Sequence, residues 1–262
     1  MNTYDAIIVG AGPAGSTTAI LLAQAGWKVA LVEKQRFPRR KVCGECIAAT
    51  NMPLFELLGI ADEFNELAGT DLRQVAVMLG KRTIIADMPA LSNSDSPWGR
   101  ALSRERLDSL LLQRARDTGA EILQPWAVKE IEGKVGDYQC DIASVTCKET
   151  RHLKGRLIIA ACGSWEPQPF MDHARVRNSS GDLFAFKANF QNSHLQPGLL
   201  PVLAFSGGYG GMVLDGSHNL TIACCVRRDA LRACRAQFWR PTAGESVEAY
   251  LKASCSGVEH AL

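Results

Sequence analysis

Tyr4-Asp5-Ala6-Ile7-Ile8-Val9-Gly10-Ala11-Gly12-Pro13-Ala14-Gly15, carried on to Glu33, is the stretch that decides the fold. Tyr4 to Val9 is a short apolar strand, and Gly10, Gly12 and Gly15 follow in Gly-x-Gly-x-x-Gly spacing. Apolar residues at helical spacing then run from Pro13 to Ala25 and stop at Gly26. A second strand, Lys28 to Val32, ends on Glu33, eighteen residues after Gly15. This order predicts a βαβ unit built to bind a dinucleotide. Gly10 permits the tight turn, Gly12 lets a pyrophosphate approach the backbone, and Gly15 lets the helix pack close to the strand. The helix N-terminus then faces the phosphates. Glu33 stands where a carboxylate accepts hydrogen bonds from a ribose diol and would repel a 2′-phosphate, which favours FAD or NAD.

The remaining composition narrows the class. With 262 residues, 47% of them hydrophobic, the chain can bury one large core or two. A net charge of +2 gives no footprint for nucleic acid. No apolar run approaches the ~20 residues that span a bilayer, so no transmembrane segment is expected. The Ile7–Val9 strand is too short for a signal peptide and enters a glycine turn, so a cytoplasmic location is expected. The nine cysteines are odd in number and scattered, which argues against a disulfide framework. Cys43-Gly44-Glu45-Cys46 is formally a Cys-x-x-Cys, but it follows a basic loop, Arg36 to Lys41, and lacks a thioredoxin-like setting. Neither Cys140 with Cys147 nor Cys224 with Cys225 supplies a second ligand pair at zinc spacing, so no metal is expected. A backbone role close to a cofactor is the better reading of this loop.

Further along, Ile47 to Leu58 has helical spacing, and Leu72–Met78 with Arg82–Ala86 reads as a hairpin around Gly80-Lys81. Ser103 to Thr118 is a helix with Leu107, Leu110, Leu111 and Ala115 on one face and Gly119 at its end. Strands follow near Glu121–Leu123, Ala127–Glu132, Tyr138–Thr146 and Arg151–Gly155, the last three as an antiparallel meander. Leu157 to Ala161 is a buried strand ending at Cys162-Gly163-Ser164. After Pro167, Leu183–Phe190, Pro201–Phe205, Gly211–Leu214 and Leu220–Arg227 suggest an antiparallel sheet, followed by helices at Asp229–Trp239 and Glu245–Ala253. The predicted fold is α/β: a Rossmann-like FAD-binding domain with parallel sheet, helices and antiparallel meander, plus a mainly antiparallel α+β substrate domain. Residues 1–72 and 97–166 are assigned to the first domain, 73–96 and 167–262 to the second.

Gly10-Ala11-Gly12-Pro13-Ala14-Gly15 with Glu33 resembles FAD-dependent enzymes of the para-hydroxybenzoate hydroxylase superfamily. Phe37-Pro38-Arg39-Arg40-Lys41-Val42-Cys43-Gly44-Glu45 is similar to the basic Cys-Gly-(Asp/Glu) motif of its geranylgeranyl reductase branch, which also holds flavin-dependent halogenases and monooxygenases. Ser103-Arg104-Glu105-Arg106-Leu107-Asp108 matches the Arg-x-x-(Phe/Leu)-Asp helix start of that superfamily. The resemblance implies that the backbone from Gly10 through Ala11, Gly12, Pro13 and Ala14 to Gly15 holds the FAD pyrophosphate. It puts Glu33, with Lys34 beside it, at the adenosine ribose. It sets Arg40 and the Cys43-Gly44 backbone near the flavin, Arg104 at the phosphate or ribityl region, and the Val128 main chain at the adenine. It names no catalytic side chain.

Two departures from the superfamily stand out. Cys162 replaces the acid of its Asp-Gly strand end. Its late Gly-Asp, between an apolar strand and a helix, is matched neither by Gly136-Asp137 nor by Gly181-Asp182, so a C-terminally incomplete member is expected. The resemblance implies an oxidoreductase acting on a small organic substrate, with FAD reduced by NAD(P)H. It would reduce an alkene or prenyl group, or oxygenate by hydroxylation or epoxidation. Halogenation ranks last, because none of Trp27, Trp98, Trp126, Trp165 and Trp239 lies in a Trp-x-Trp-x-Ile-Pro context. The rivals are an inactive nucleotide-binding fragment of such an enzyme and, more remotely, an NAD-dependent dehydrogenase. Oligomeric state is left open.

Overall fold

The chain's first three elements are a strand, a helix and a parallel strand. In the computed structural model, which describes residues 2–163 and 179–262, the strands are β1 (Asn2–Val9), β2 (Val29–Val32), β3 (Cys46–Ile47), β4 (Gln74–Leu79), β5 (Arg82–Asp87), β6 (Arg100–Ala101), β7 (Glu121–Leu123), β8 (Trp126–Lys134), β9 (Asp137–Ser144), β10 (Thr150–Ala160), β11 (Leu183–Phe190), β12 (Leu199–Phe205), β13 (Gly208–Leu214) and β14 (Leu220–Arg227). The helices are α1 (Pro13–Gln24), α2 (Met52–Leu58), α3 (Ala61–Leu67), α4 (Arg104–Asp117), α5 (Arg228–Gln237), α6 (Ala243–Ser254) and α7 (Ser256–Ala261). Ser164, Trp165 and the boundary expected between residues 166 and 167 lie outside the described residues. Among the described residues no helix is long and apolar enough to cross a membrane.

Two compact units divide the chain: Met1–Arg40, Leu54–Asp62 and Arg104–Val176 in one, and Lys41–Pro53, Glu63–Ser103 and Arg177–Leu262 in the other. The first carries a six-stranded sheet in the order β7-β2-β1-β10-β9-β8. β1 lies parallel to both β2 and β10. Ala6 to Val9 and Val29 to Val32 are all buried, as near-continuous apolar runs at the centre of a parallel sheet must be. Helices α1 and α4 pack together; α1 buries Ala19 and Ile20, and α4 buries Leu107, Leu111 and Ala115. Tyr4, Ile7, Val32, Trp126, Ile142 and Leu153 form a core cluster of this unit.

The sequence splits Arg151–Gly155 from Leu157–Ala161, whereas the structure has one strand, β10. Its first half pairs antiparallel with β9, while Leu153 onward pairs parallel with β1. Gly155 marks a close approach and not a break: a Cβ there would stand 2.8 Å from Ile7 Cδ1.

The second unit's sheet has the order β11-β14-β13-β12-β4-β5. It is antiparallel except at one pair, β12 with β4, in register from Leu199↔Gln74 to Leu203↔Met78. The hairpin β4–β5 arrives from a distant segment, so its strand sense is free of the meander that follows. One face of the sheet gives Ala76, Met78, Leu203, Met212, Ile222, Cys224 and Val226 to a core shared with Cys234, Val247, Leu251 and Val258 of α5, α6 and α7. The helix expected over Ile47–Leu58 is shorter. Cys46 and Ile47 pair with Ala101 and Arg100 as β3 and β6, and α2 starts only at Met52. Pro53 offers no N–H and has a fixed φ, which suits a helix start at this point. The same pairing explains the grouping of residues 41–53 and 97–103 with the second unit. Leu72 N–H also donates to Gly99 O at 2.8 Å, and Gly69 N–H to Ala101 O at 2.7 Å.

Candidate dinucleotide site

At the end of β1 the chain turns at Gly10, whose φ of +101° is a conformation that side chains rarely adopt. Its N–H donates to Val32 O at 2.7 Å, and a Cβ there would lie 2.5 Å from Ala161 O. A Cβ on Gly15 would stand 1.8 Å from Gly10 O. These two glycines are demanded by the protein's own packing. Gly12 is different. Its φ is an ordinary −69°, and a Cβ would meet only Arg39 Nη2 at 3.6 Å and Arg104 Nη2 at 4.0 Å. The space above Gly12 is a cradle that a side chain would fill. No side chain caps α1 at Gly12, so the N–H groups of the first turn have no intrahelical acceptor, and the positive end of the helix dipole opens on the cradle.

Glu33, buried at 6% exposure, ends β2 beside this loop. Its Oε2 accepts the Ala11 N–H at 2.9 Å and its Oε1 the Gln35 N–H at 2.8 Å. An ionised carboxylate offers about four lone-pair sites, so these two bonds orient the group and leave acceptor capacity for a diol. Asp108, fully buried on α4, accepts both Nε and Nη2 of Arg104, at 2.7 and 2.9 Å. Arg39 Nη2 lies 3.6 Å from Asp108 Oδ2 and 4.0 Å from Glu33 Oε2, and its guanidinium sits over the Phe37 ring. Arg39 Nε is buried and has no hydrogen-bond partner. A buried donor left unsatisfied is costly, and such groups ask for an explanation.

Gly10, Ala11, Gly12, Pro13, Ala14, Gly15, Glu33 and Arg104 come together in the first unit. Lys34 is exposed. Arg40 turns outward, its side chain 86% exposed and 3.3 Å from Glu105; it is Arg39, not proposed from sequence, that lies over the glycine loop. Val128 lies on β8 at a register shift, where the ladder skips to Glu130. Cys43 and Gly44 belong to the second unit, Cys43 half-buried and Gly44 exposed. Cys162 donates its thiol proton to Val9 O at 3.2 Å. Gly136-Asp137 sits at the β8–β9 turn, and Asp182 accepts from Ser179 N–H and Arg228. Arg39 and Asp108 are what sequence reasoning missed. The i,i+4 spacing of Arg104 and Asp108 and the aromatic two residues before Arg39 were the available signals.

An uncapped helix start, a cradle over Gly12 and an orphaned guanidinium donor fit a pyrophosphate, and Glu33 fits a ribose. With the parallel sheet behind them they define a dinucleotide-binding protein. The chain belongs to the FAD binding domain family, which it matches over residues 3–168, and FAD is the cofactor of that fold. It is 28% identical over 206 residues to conditioned medium factor receptor 1 of Dictyostelium discoideum, covering 68% of this chain and 39% of that protein. It is 32% identical over 124 residues to menaquinone reductase of Mycolicibacterium smegmatis, covering 47% and 29%. A myxobacterial FAD-dependent chondrochloren halogenase superposes with a TM-score of 0.79 at 20% identity, over 100% of this chain and 60% of that one. The chain thus spans well under half the length of these two relatives.

Proposed function

We propose that this chain is the FAD-holding part of an oxidoreductase that reduces an alkene or prenyl-type double bond in a small organic substrate, with NAD(P)H as electron donor. The observation that carries the reading is the cradle over Gly12, backed by Arg39 with its unpartnered Nε. Glu33 would hold the adenosine ribose, with the first turn of α1 and Arg39 on the pyrophosphate. Arg104, fixed by Asp108, would face the phosphate or ribityl region, and the Val128 main chain the adenine. The Cys43-Gly44 backbone would meet the flavin end. Bound FAD supplies the hydride chemistry, while the protein binds, orients and excludes water. The second unit, with its six-stranded sheet, would serve as substrate domain.

The Cys43-Gly44-Glu45 loop and the likeness to a menaquinone reductase favour reduction. Oxygenation is the second reading and draws on the superfamily resemblance. The test is incubation of the FAD-loaded protein with NAD(P)H and a prenyl alcohol, run in parallel without and with air. Product heavier by two hydrogens supports reduction. Product heavier by one oxygen, formed only in air, contradicts it and selects oxygenation.

A further inference from the structure

Glu45 stands at the centre of a second polar cluster, entirely within the second unit. Its φ is +60°, a left-handed conformation that a non-glycine residue keeps only where its surroundings over-determine it. It is buried, at 3% exposure. Each of its polar groups is engaged. The N–H donates to Cys43 Sγ at 3.4 Å, and the carbonyl accepts the Leu102 N–H at 3.1 Å. Oε1 accepts from Lys187 Nζ at 2.5 Å, and Oε2 accepts the Thr221 hydroxyl at 2.6 Å. That hydroxyl in turn accepts from Asn189 Nδ2 at 2.7 Å. Asn189 of β11 lies opposite Thr221 of β14, and Lys187 is two residues before Asn189 on the same sheet face. Two adjacent strands thus aim an ammonium, a hydroxyl and an amide at one short loop.

A buried ion pair is often no better than a well-packed apolar pair, and what it best provides is a unique position. The segment held is the turn Cys43-Gly44-Glu45. Gly44 is exposed, and its backbone makes no hydrogen bond among the described residues. The strained residue and its anchors therefore hold free backbone groups at a fixed place.

We propose that Glu45, Lys187 and Thr221 form a clamp that fixes the Lys41–Cys46 backbone in one conformation for the flavin end of FAD, with Glu45 and Lys187 as positioning residues. The proposal rests on the reading of Cys43-Gly44 as flavin-facing. Removing one partner of a buried ion pair risks unfolding, so the test uses the double variant Glu45→Gln/Lys187→Met, which removes both charges, and Thr221→Val, which removes one hydroxyl.

Cys43 alkylation by iodoacetamide, followed by peptide mass spectrometry, reads the loop without any cofactor. Both variants, with unchanged circular dichroism, should react several-fold faster at Cys43 than the wild type; equal rates overturn the clamp. Titration with FAD and with ADP reads its purpose. FAD affinity should fall about tenfold, the scale of one charge-assisted hydrogen bond, while ADP affinity is unchanged. Parallel loss for both ligands, or loss for neither, overturns the assignment to the flavin end. A wild type that binds FAD no more tightly than ADP overturns the flavin-facing reading of Cys43-Gly44, and the alkylation rates still decide whether the clamp exists.

Discussion

Arg39 and Arg40 are neighbours with opposite fates. Arg39, its side chain 11% exposed, lies between Asp108, Glu33 and Phe37, while Arg40 stands in solvent beside Glu105. Arg39→Met should weaken FAD binding by about 1.5–3 kcal/mol, the range for a hydrogen bond to a charged group, and Arg40→Met should leave it unchanged. Isothermal titration of the two variants checks this, and equal effects would contradict the geometry. Glu33→Ala should cost about 1–3 kcal/mol in FAD affinity, and it should also lower Tm, since the Ala11 and Gln35 N–H groups lose their acceptor. A variant with unchanged Tm would show that this carboxylate does not hold the loop. The glycines and Glu33 were legible in the sequence because their spacing is tied to backbone geometry. Arg39 was not, because the choice between two adjacent arginines is made by Asp108, far along the chain.

At the scale of elements, the apolar, β-branched and aromatic segments Leu183–Phe190 and Leu220–Arg227 located β11 and β14. β3, β6 and the parallel β12–β4 pair were illegible: they exist through partners remote in sequence. Two strands also carry a pH signature. Burial pushes the Cys140 thiol of β9 up to about 12 from 9.0, with Asp141 adding to it. Burial does the same to Cys224 of β14, again to about 12, with Cys225 and Cys234 contributing. These thiols ionise at lower pH when unfolded than when folded, so their contribution is complete below pH 9 and is lost as pH rises towards 12. Tm should fall through that window, and Cys140→Ala should flatten the fall; an unchanged slope would contradict it. In α6, Thr242 and Glu245 form a capping box, so Thr242→Ala should lower stability by about 1 kcal/mol in urea unfolding.

On the scale of the whole molecule, two pairings join segments far apart in the chain. The return of the chain to β10 beside β1 follows from the apolar run Leu157–Ala160, which is only partly buried and not the buried strand its composition suggests, and the hairpin β4–β5 joins the later strands. The grouping of residues 41–53, 63–72 and 97–103 with the second unit differs from the expected bounds, because two short strands and a few backbone hydrogen bonds decide it. The central claim is that the space over Gly12 exists for a cofactor and not for the fold. Fluorescence titration of Gly12→Ala with FAD, beside its Tm, tests this most directly. The added Cβ meets nothing closer than 3.6 Å, so Tm without FAD should match the wild type while FAD affinity falls at least tenfold, as when a phosphate loses its backbone donors. Wild-type FAD affinity in Gly12→Ala, or a wild type that binds no FAD, would contradict the account.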